Sequence, residues 1–239
     1  MSIALACTGY LDKEAIRLSR LLPQLAVYDY IVLSIPPDTT TETVSAFEHQ
    51  PGIELVVNPD WSNGRYSAIH NTVETNTTHI HYADLDRLLH WIETYPTEWQ
   101  ATIEKIQTTD CLIIGRTEHA FQTHPQAIQQ TERIINAVFS HLLGQPVDLG
   151  GGSRGFSKRA TQYLIEHGNV THAWDTDAEW LMLLHHAGFQ LDYCAVDGLE
   201  ARTYPGDYDE QAKRWAFRVQ VALDIVQAGI AATHRGKVD

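Results

Sequence analysis

Cationic residues are scarce in this 239-residue chain: 17 Lys and Arg stand against 30 Asp and Glu, a formal charge of -13 with the 13 histidines neutral. That balance speaks against a nucleic-acid binder, whose footprint is a cluster of Lys and Arg, and against docking on an anionic membrane. Any anionic ligand must then be met by a few placed cations or by a bound metal. Cysteine is rare too. Cys7, Cys111 and Cys194 are odd in number, far apart and without CxxC spacing, which excludes a disulfide scaffold or a zinc ribbon and fits a reduced, cytoplasmic setting. No stretch approaches the ~20 apolar residues of a membrane span. The N-terminal MSIALACTGYLDKE has no basic region ahead of its short apolar run, unlike a signal peptide. What is present is ordinary for a globular core, 44% apolar residues in a length that suits one sizeable α/β domain.

Along the chain, short β-rich runs alternate with helical patterns. Strands are expected at Ile3–Cys7, Tyr30–Ile35, Ile53–Val57, His79–Ala83, Cys111–Gly115 and Leu191–Val196. Helices are expected at Lys13–Leu22 (with Pro23 following), Thr40–His49, Ser67–Asn76, Pro125–Leu143, Thr176–Ala187 and Glu210–Ala232. Such alternation predicts a mainly parallel sheet covered by helices, with ligands at the carboxyl edge of the strands.

The fourth strand runs into Asp84-Leu85-Asp86. Two carboxylates at a strand end can converge on one Mg²⁺ or Mn²⁺ together with phosphate oxygens. The plain structural alternative makes Asp86 the cap of a helix over Arg87–Ile92. A second alternative is the HAD phosphatase pattern, with Asp84 as nucleophile. Against it, Asp86 is followed by Arg-Leu-Leu rather than Gly-Thr, and three strands precede the motif. His79 and His81 share a strand face and suggest a metal-dependent hydrolase, but no further ligand set accompanies them. Packing beside a helix layer is the better reading.

More specific is an ordered set: Gly64-Arg65 with Asn71; Asp84 and Asp86; Gly150-Gly-Gly-Ser-Arg-Gly-Phe-Ser-Lys-Arg159; then Asp177, Glu179 and Ala187-Gly188-Phe189. This order resembles the GT-A glycosyltransferases of the family 2-like group over about residues 1–200. The resemblance implies a GT-A-like, Rossmann-like sheet in a domain of residues 1–205, with a helical C-terminal extension (206–239) packed on it. It implies an enzyme of the hexosyltransferase class moving a sugar from a nucleotide-diphospho-sugar donor to a hydroxyl acceptor, with inversion. Asp86 and Asp84 would hold a divalent cation, Mn²⁺ or Mg²⁺, at the donor diphosphate. Arg65 would neutralise charge near the nucleotide. Gly152, Ser153 and Arg154 would approach the sugar or acceptor. Asp177 would be the general base, with Trp174 and Glu179 nearby. Trp180 is a further candidate for sugar stacking.

The chain departs from that family at its first two strand ends. Cys7-Thr8-Gly9-Tyr10 replaces Pro-x-Tyr-Asn, and Ser34-Ile-Pro-Pro-Asp38 replaces Asp-Asp-Gly-Ser. Thr8 and Asp38 are the candidate substitutes, so the nucleotide is left open. The departure also admits a degenerate GT-A-like protein that binds a nucleotide without turnover. A nucleotidyltransferase would need a glycine-rich G-x-G-[ST]-R loop after the first strand, which residues 7–14 lack.

Overall fold

The protein is described by a computed structural model covering residues 2–170, 172–201 and 211–235, with the backbone alone at 211 and 212. The first strand explains the architecture. β1 (Ile3–Thr8) is buried at every residue, as a parallel strand covered on both faces must be. It is the third strand, between β2 and β4, in the order β3-β2-β1-β4-β6-β5-β7. The flanking strands are β2 (Tyr30–Ile35), β3 (Ile53–Val57), β4 (His79–Asp84), β5 (Cys111–Arg116), β6 (Ser153–Ser157) and β7 (Leu191–Val196). All run parallel except β6, which is antiparallel to β4 and β5.

β6 has no counterpart among the expected strands. Its sequence, Ser-Arg-Gly-Phe-Ser, carries no β-branched residue and puts an arginine in the interior. Tertiary partners make it a strand. Arg154 donates to the Leu149 and Ser153 carbonyls, both at 2.6 Å. Gly155 leaves room for Ile106, which a Cβ would meet at 2.5 Å.

The helices are α1 (Leu11–Leu25), α2 (Thr41–Phe47), α3 (Gly64–Val73), α4 (Leu85–Thr94), α5 (Pro96–Ile106), α6 (Glu118–Gln122), α7 (Gln126–Leu143), α8 (Lys158–His167), α9 (Thr176–His186) and α10 (Gln211–Arg235). α1 runs through Pro23 instead of stopping before it; in the last turn the missing N–H costs a single intrahelical bond. Two apolar cores result. One, with Leu18, Leu88, Trp91 and Trp99, lies under α1, α4 and α5. The other, with Ile69, Phe139, Phe156 and Trp180, lies under α3 and α7–α10. α10 packs against α9 and α7. The expected domain limit at 205/206 falls outside the described residues. No helix among the described residues is long and apolar enough to cross a membrane.

His81 belongs to the core. It is fully buried, with Nδ1 2.7 Å from the Tyr28 hydroxyl and Nε2 2.8 Å from the Ser153 hydroxyl. Trp99 Nε1 donates to the same Tyr28 hydroxyl at 3.0 Å. Burial pulls the imidazole down to about 3, so it is neutral in the folded chain. The unfolded chain takes up this proton near pH 6.5 and the folded chain does not. Stability is therefore fully present above pH 6.5 and falls with pH toward 3. Between pH 7 and pH 5 the expected loss from this group is about 2 kcal/mol. Urea unfolding at the two pH values measures it, and the loss should shrink in His81→Gln.

Candidate active site

Three sequence-distant segments meet at the carboxyl edge of β1 and β4. Asp84 ends β4, Arg65 lies in the first turn of α3, and Asp177 lies in the first turn of α9. Arg65 joins the two carboxylates. Its Nη1 donates to Asp177 Oδ1 at 2.6 Å and to the Ala173 carbonyl at 3.0 Å, and its Nη2 donates to Asp84 Oδ2 at 3.0 Å. The other Asp84 oxygen accepts from the Tyr82 hydroxyl at 2.5 Å and the Thr8 hydroxyl at 3.3 Å. Arg154 Nη2 is 4.0 Å from Asp177 Oδ1. Side-chain exposure is only 13% at Arg65 and 14% at Asp177, so water screens this cluster poorly.

The electrostatics follow from that burial. It works against the Arg65 charge, but Asp177 and Asp84 more than offset it and the guanidinium is held more firmly protonated than usual. Burial pushes the Asp177 carboxyl above the ordinary aspartate range, and Arg65 and Arg154 oppose this only in part. Asp86 is also raised, first by burial and then by the Asp84 charge. A carboxylate raised in a cleft beside a specific charge partner is the profile of a functional group.

Arg65 and Asp84 also divide the space. On one side is a cleft of about 200 Å³ lined by Thr8, Tyr10, Trp61, Gly64 and Asp86. On the other is one of about 240 Å³ that includes Arg87, Glu132, Trp174, Asp177, Phe217 and Arg218. Tyr10 and Trp61 form an edge-to-face pair with centroids 5.6 Å apart. In the second cleft Trp174 meets Phe217 edge-to-face at 6.1 Å. Glu132 and Arg218, which line that cleft, belong to an ion network that runs behind it. Arg116 donates to Asp148 (Nε to Oδ2 and Nη2 to Oδ1, both 2.7 Å) and to Glu132 Oε2 at 2.5 Å, and Arg218 donates to Glu132 Oε1 at 2.6 Å.

Several expected site residues lie elsewhere than the sequence suggested. Ser153 and Arg154, expected at the sugar or acceptor, are interior residues of β6, 1% and 3% exposed. Gly152 does allow a close approach, but to Asp84. It has φ +67°, its carbonyl accepts the Asp84 N–H at 2.9 Å, and a Cβ would stand 2.5 Å from Asp84 Oδ2. Glu179 turns away from Asp177 into a separate cleft beside Asp175 and Asp224, where it accepts from Asn169 N and Arg235. Asp38 is exposed in the turn after β2 and lines neither central cleft. Trp180 is core, edge-to-face with Tyr82 and Phe156. Conversely, Tyr10, Trp61, Arg87, Glu132, Phe217 and Arg218 carried no motif. The departure at Cys7–Tyr10 marked the position of Tyr10 as unusual, and Trp61 stood out only as one of six tryptophans that could stack on a sugar.

For a divalent cation the oxygen-only pair Asp84 and Asp86 has the right chemistry for Mg²⁺ or Mn²⁺. Asp84 is already engaged by Arg65, Tyr82 and Thr8, which leaves Asp86 as the principal candidate ligand. Among the described residues no group of three or more His, Cys, Asp or Glu side chains is gathered for a metal. Donor oxygens and water would have to complete the sphere.

No protein-family profile matches the chain, and no curated protein matches it by sequence. Solved structures do match. Glucosyl-3-phosphoglycerate synthase from Mycobacterium tuberculosis, in complex with UDP, superposes with TM-score 0.64 at 11% identity, over 98% of this chain and 80% of that one. The same enzyme in complex with Mn²⁺, UDP-glucose and phosphoglyceric acid gives 0.61 at 11% identity, over the same shares. Mannosyl-3-phosphoglycerate synthase from Rubrobacter xylanophilus gives 0.57 at 10% identity, over 100% and 77%. The fold is of the GT-A type. The expected architecture, a mainly parallel sheet flanked by helices with a C-terminal helix, is the observed one, with β6 added to it. At these identities the similarity concerns the fold alone.

Proposed function

We propose that this protein transfers a sugar from a nucleotide-diphospho-sugar to a hydroxyl acceptor carrying an anionic group. The observation that carries the proposal is the convergence of Asp84, Arg65 and Asp177 on the partition between two clefts at the carboxyl edge of a GT-A-type sheet. The cleft with Tyr10, Trp61 and Asp86 takes the donor. Its aromatic pair offers a stacking surface for the base, and Thr8 stands at its inner end against Asp84. Asp86, with Asp84 beside it, would hold a divalent cation, which supplies charge stabilisation for the departing diphosphate.

The cleft with Trp174 and Asp177 takes the acceptor. Arg87 and Arg218 give it cations that an acidic protein otherwise lacks, which suits a phosphate or carboxylate on the acceptor. Asp177 faces this space as the base that removes the acceptor proton. A single base on the acceptor side is the arrangement that inversion uses. A neighbouring fold, glucosyl-3-phosphoglycerate synthase, was solved with Mn²⁺, UDP-glucose and phosphoglyceric acid, ligands of the same classes as the donor, cation and anionic acceptor proposed here. Phosphatase chemistry with Asp84 as nucleophile is disfavoured, because its oxygens are taken up by Thr8, Tyr82 and Arg65.

A nucleotide-binding protein without turnover is the second reading, favoured by the ion pairs that already occupy Asp177 and Asp84. Calorimetry with UDP and GDP, with and without Mn²⁺, tests the donor site. Nucleotide should bind only with the metal, and Asp86→Ala should weaken binding at least tenfold. Binding indifferent to both metal and substitution would remove the donor site from this place. Turnover of a nucleotide-sugar panel with anionic hydroxyl acceptors then separates enzyme from binder.

A further inference from the structure

Arg65 has two claims on one charge. It carries a single positive charge between two carboxylates, so the trio bears a net negative charge at the mouth of a cleft assigned to a diphosphate. Asp86 adds another. In a chain with 17 cationic residues among 239, Arg65 is, among the described residues, the cation that lines both clefts. Its two bonds to carboxylates go in different directions, Nη2 to Asp84 and Nη1 to Asp177. The shorter, at 2.6 Å, is to the residue that the proposed chemistry needs unencumbered. Arg154, at 4.0 Å and held by two backbone carbonyls, remains beside Asp177 when Arg65 moves.

We infer that Arg65 is a donor-displaced latch: it pins the Asp177 carboxylate in the empty protein, and a nucleoside diphosphate entering beside Asp86 draws the guanidinium off Asp177 and opens that carboxylate to the acceptor. The inference rests on the donor-site assignment above and deepens it. Asp84 keeps its bond to Nη2, so the motion needed is a pivot about that contact. Part of the donor's binding energy goes into breaking the Arg65–Asp177 pair. By reciprocity, a protein lacking that pair binds donor more tightly. The latch also sets an order, donor before acceptor, because the base is covered until the donor arrives. Arg65 is on this view a positioning residue toward Asp177 and a direct ligand of the diphosphate.

The test is equilibrium binding and requires no turnover. UDP and GDP are titrated calorimetrically, with Mn²⁺, into the full chain, into Asp177→Asn, into Arg65→Gln and into the double variant. Asp177→Asn leaves Arg65 only a neutral acceptor in place of a charged one, so it should tighten nucleotide binding roughly fivefold to tenfold. Arg65→Gln should weaken it, and in that background Asp177→Asn should give no gain. Three outcomes overturn the latch alone: unchanged binding in Asp177→Asn, weaker binding there, or a gain that persists without Arg65, which would be simple relief of repulsion. If neither nucleotide binds the unaltered chain, the donor site falls and the latch with it. Near-UV circular dichroism checks folding, and Asp177→Ser replaces Asp177→Asn if the latter does not fold.

Discussion

Asp177→Asn should lower the rate of sugar transfer by about 10²–10⁴-fold, the usual contribution of a positioned general base. The amide keeps the size of the side chain and can still meet Arg65, so the cleft should keep its shape. It cannot take a proton. The effect should fall on kcat, with little change in acceptor KM. Combined with tighter donor binding, this is a distinctive pair: slower chemistry on a better-bound nucleotide. The environment explains why this carboxylate suits the role. The first turn of α9 favours a negative charge, whereas burial disfavours it and holds the carboxyl above its ordinary range. Transfer at the unaltered rate in Asp177→Asn would mean that another group is the base.

The largest expected effect on stability lies one layer below. Asp148→Ala should cost about 3–5 kcal/mol, because it leaves the Arg116 charge buried without its principal partner. Asp148 Oδ2 accepts from the Arg116 backbone N–H at 2.8 Å and from Nε at 2.7 Å, and Oδ1 accepts from Nη2 at 2.7 Å and from Asn136 at 2.8 Å. Burial alone would raise this carboxyl, yet the Arg116 bonds and charge pull it down to about 2. Arg116 also holds Glu132, which holds Arg218 of α10. Loss of Asp148 should therefore loosen the cleft beside Asp177 as well as the end of β5. Urea unfolding measures the first effect. A loss below 1 kcal/mol would show that Glu132 alone suffices for Arg116.

The sheet could be read from the chain wherever burial on both faces demands an unbroken apolar run. Ile3–Cys7, Tyr30–Ile35 and Cys111–Gly115 announce themselves in this way. β6 does not, because Ser153 is satisfied by the distant His81 and Arg154 by the nearby Leu149 and Ser153 carbonyls, backbone groups that no side-chain pattern reveals. The same limit applies at the site. Asp84 and Asp86 stand out because a strand precedes them, and Asp177 because a helix begins beside it. Glu179 lies two residues later on the same helix, a spacing that already sets its side chain in a different direction. A helix turns about 100° per residue, so it points to another cleft and to Arg235.

Local composition and pattern determined the class of fold, the edge of the sheet where the acidic groups collect, and the scarcity of cations that makes each arginine consequential. Tertiary structure decided which of those arginines acts. Arg65, Asp84 and Asp177 belong to α3, β4 and α9, and no periodicity relates them. Only the closing of the sheet and the packing of α9 over it bring one guanidinium between two carboxylates, in a space dry enough for the pairing to matter.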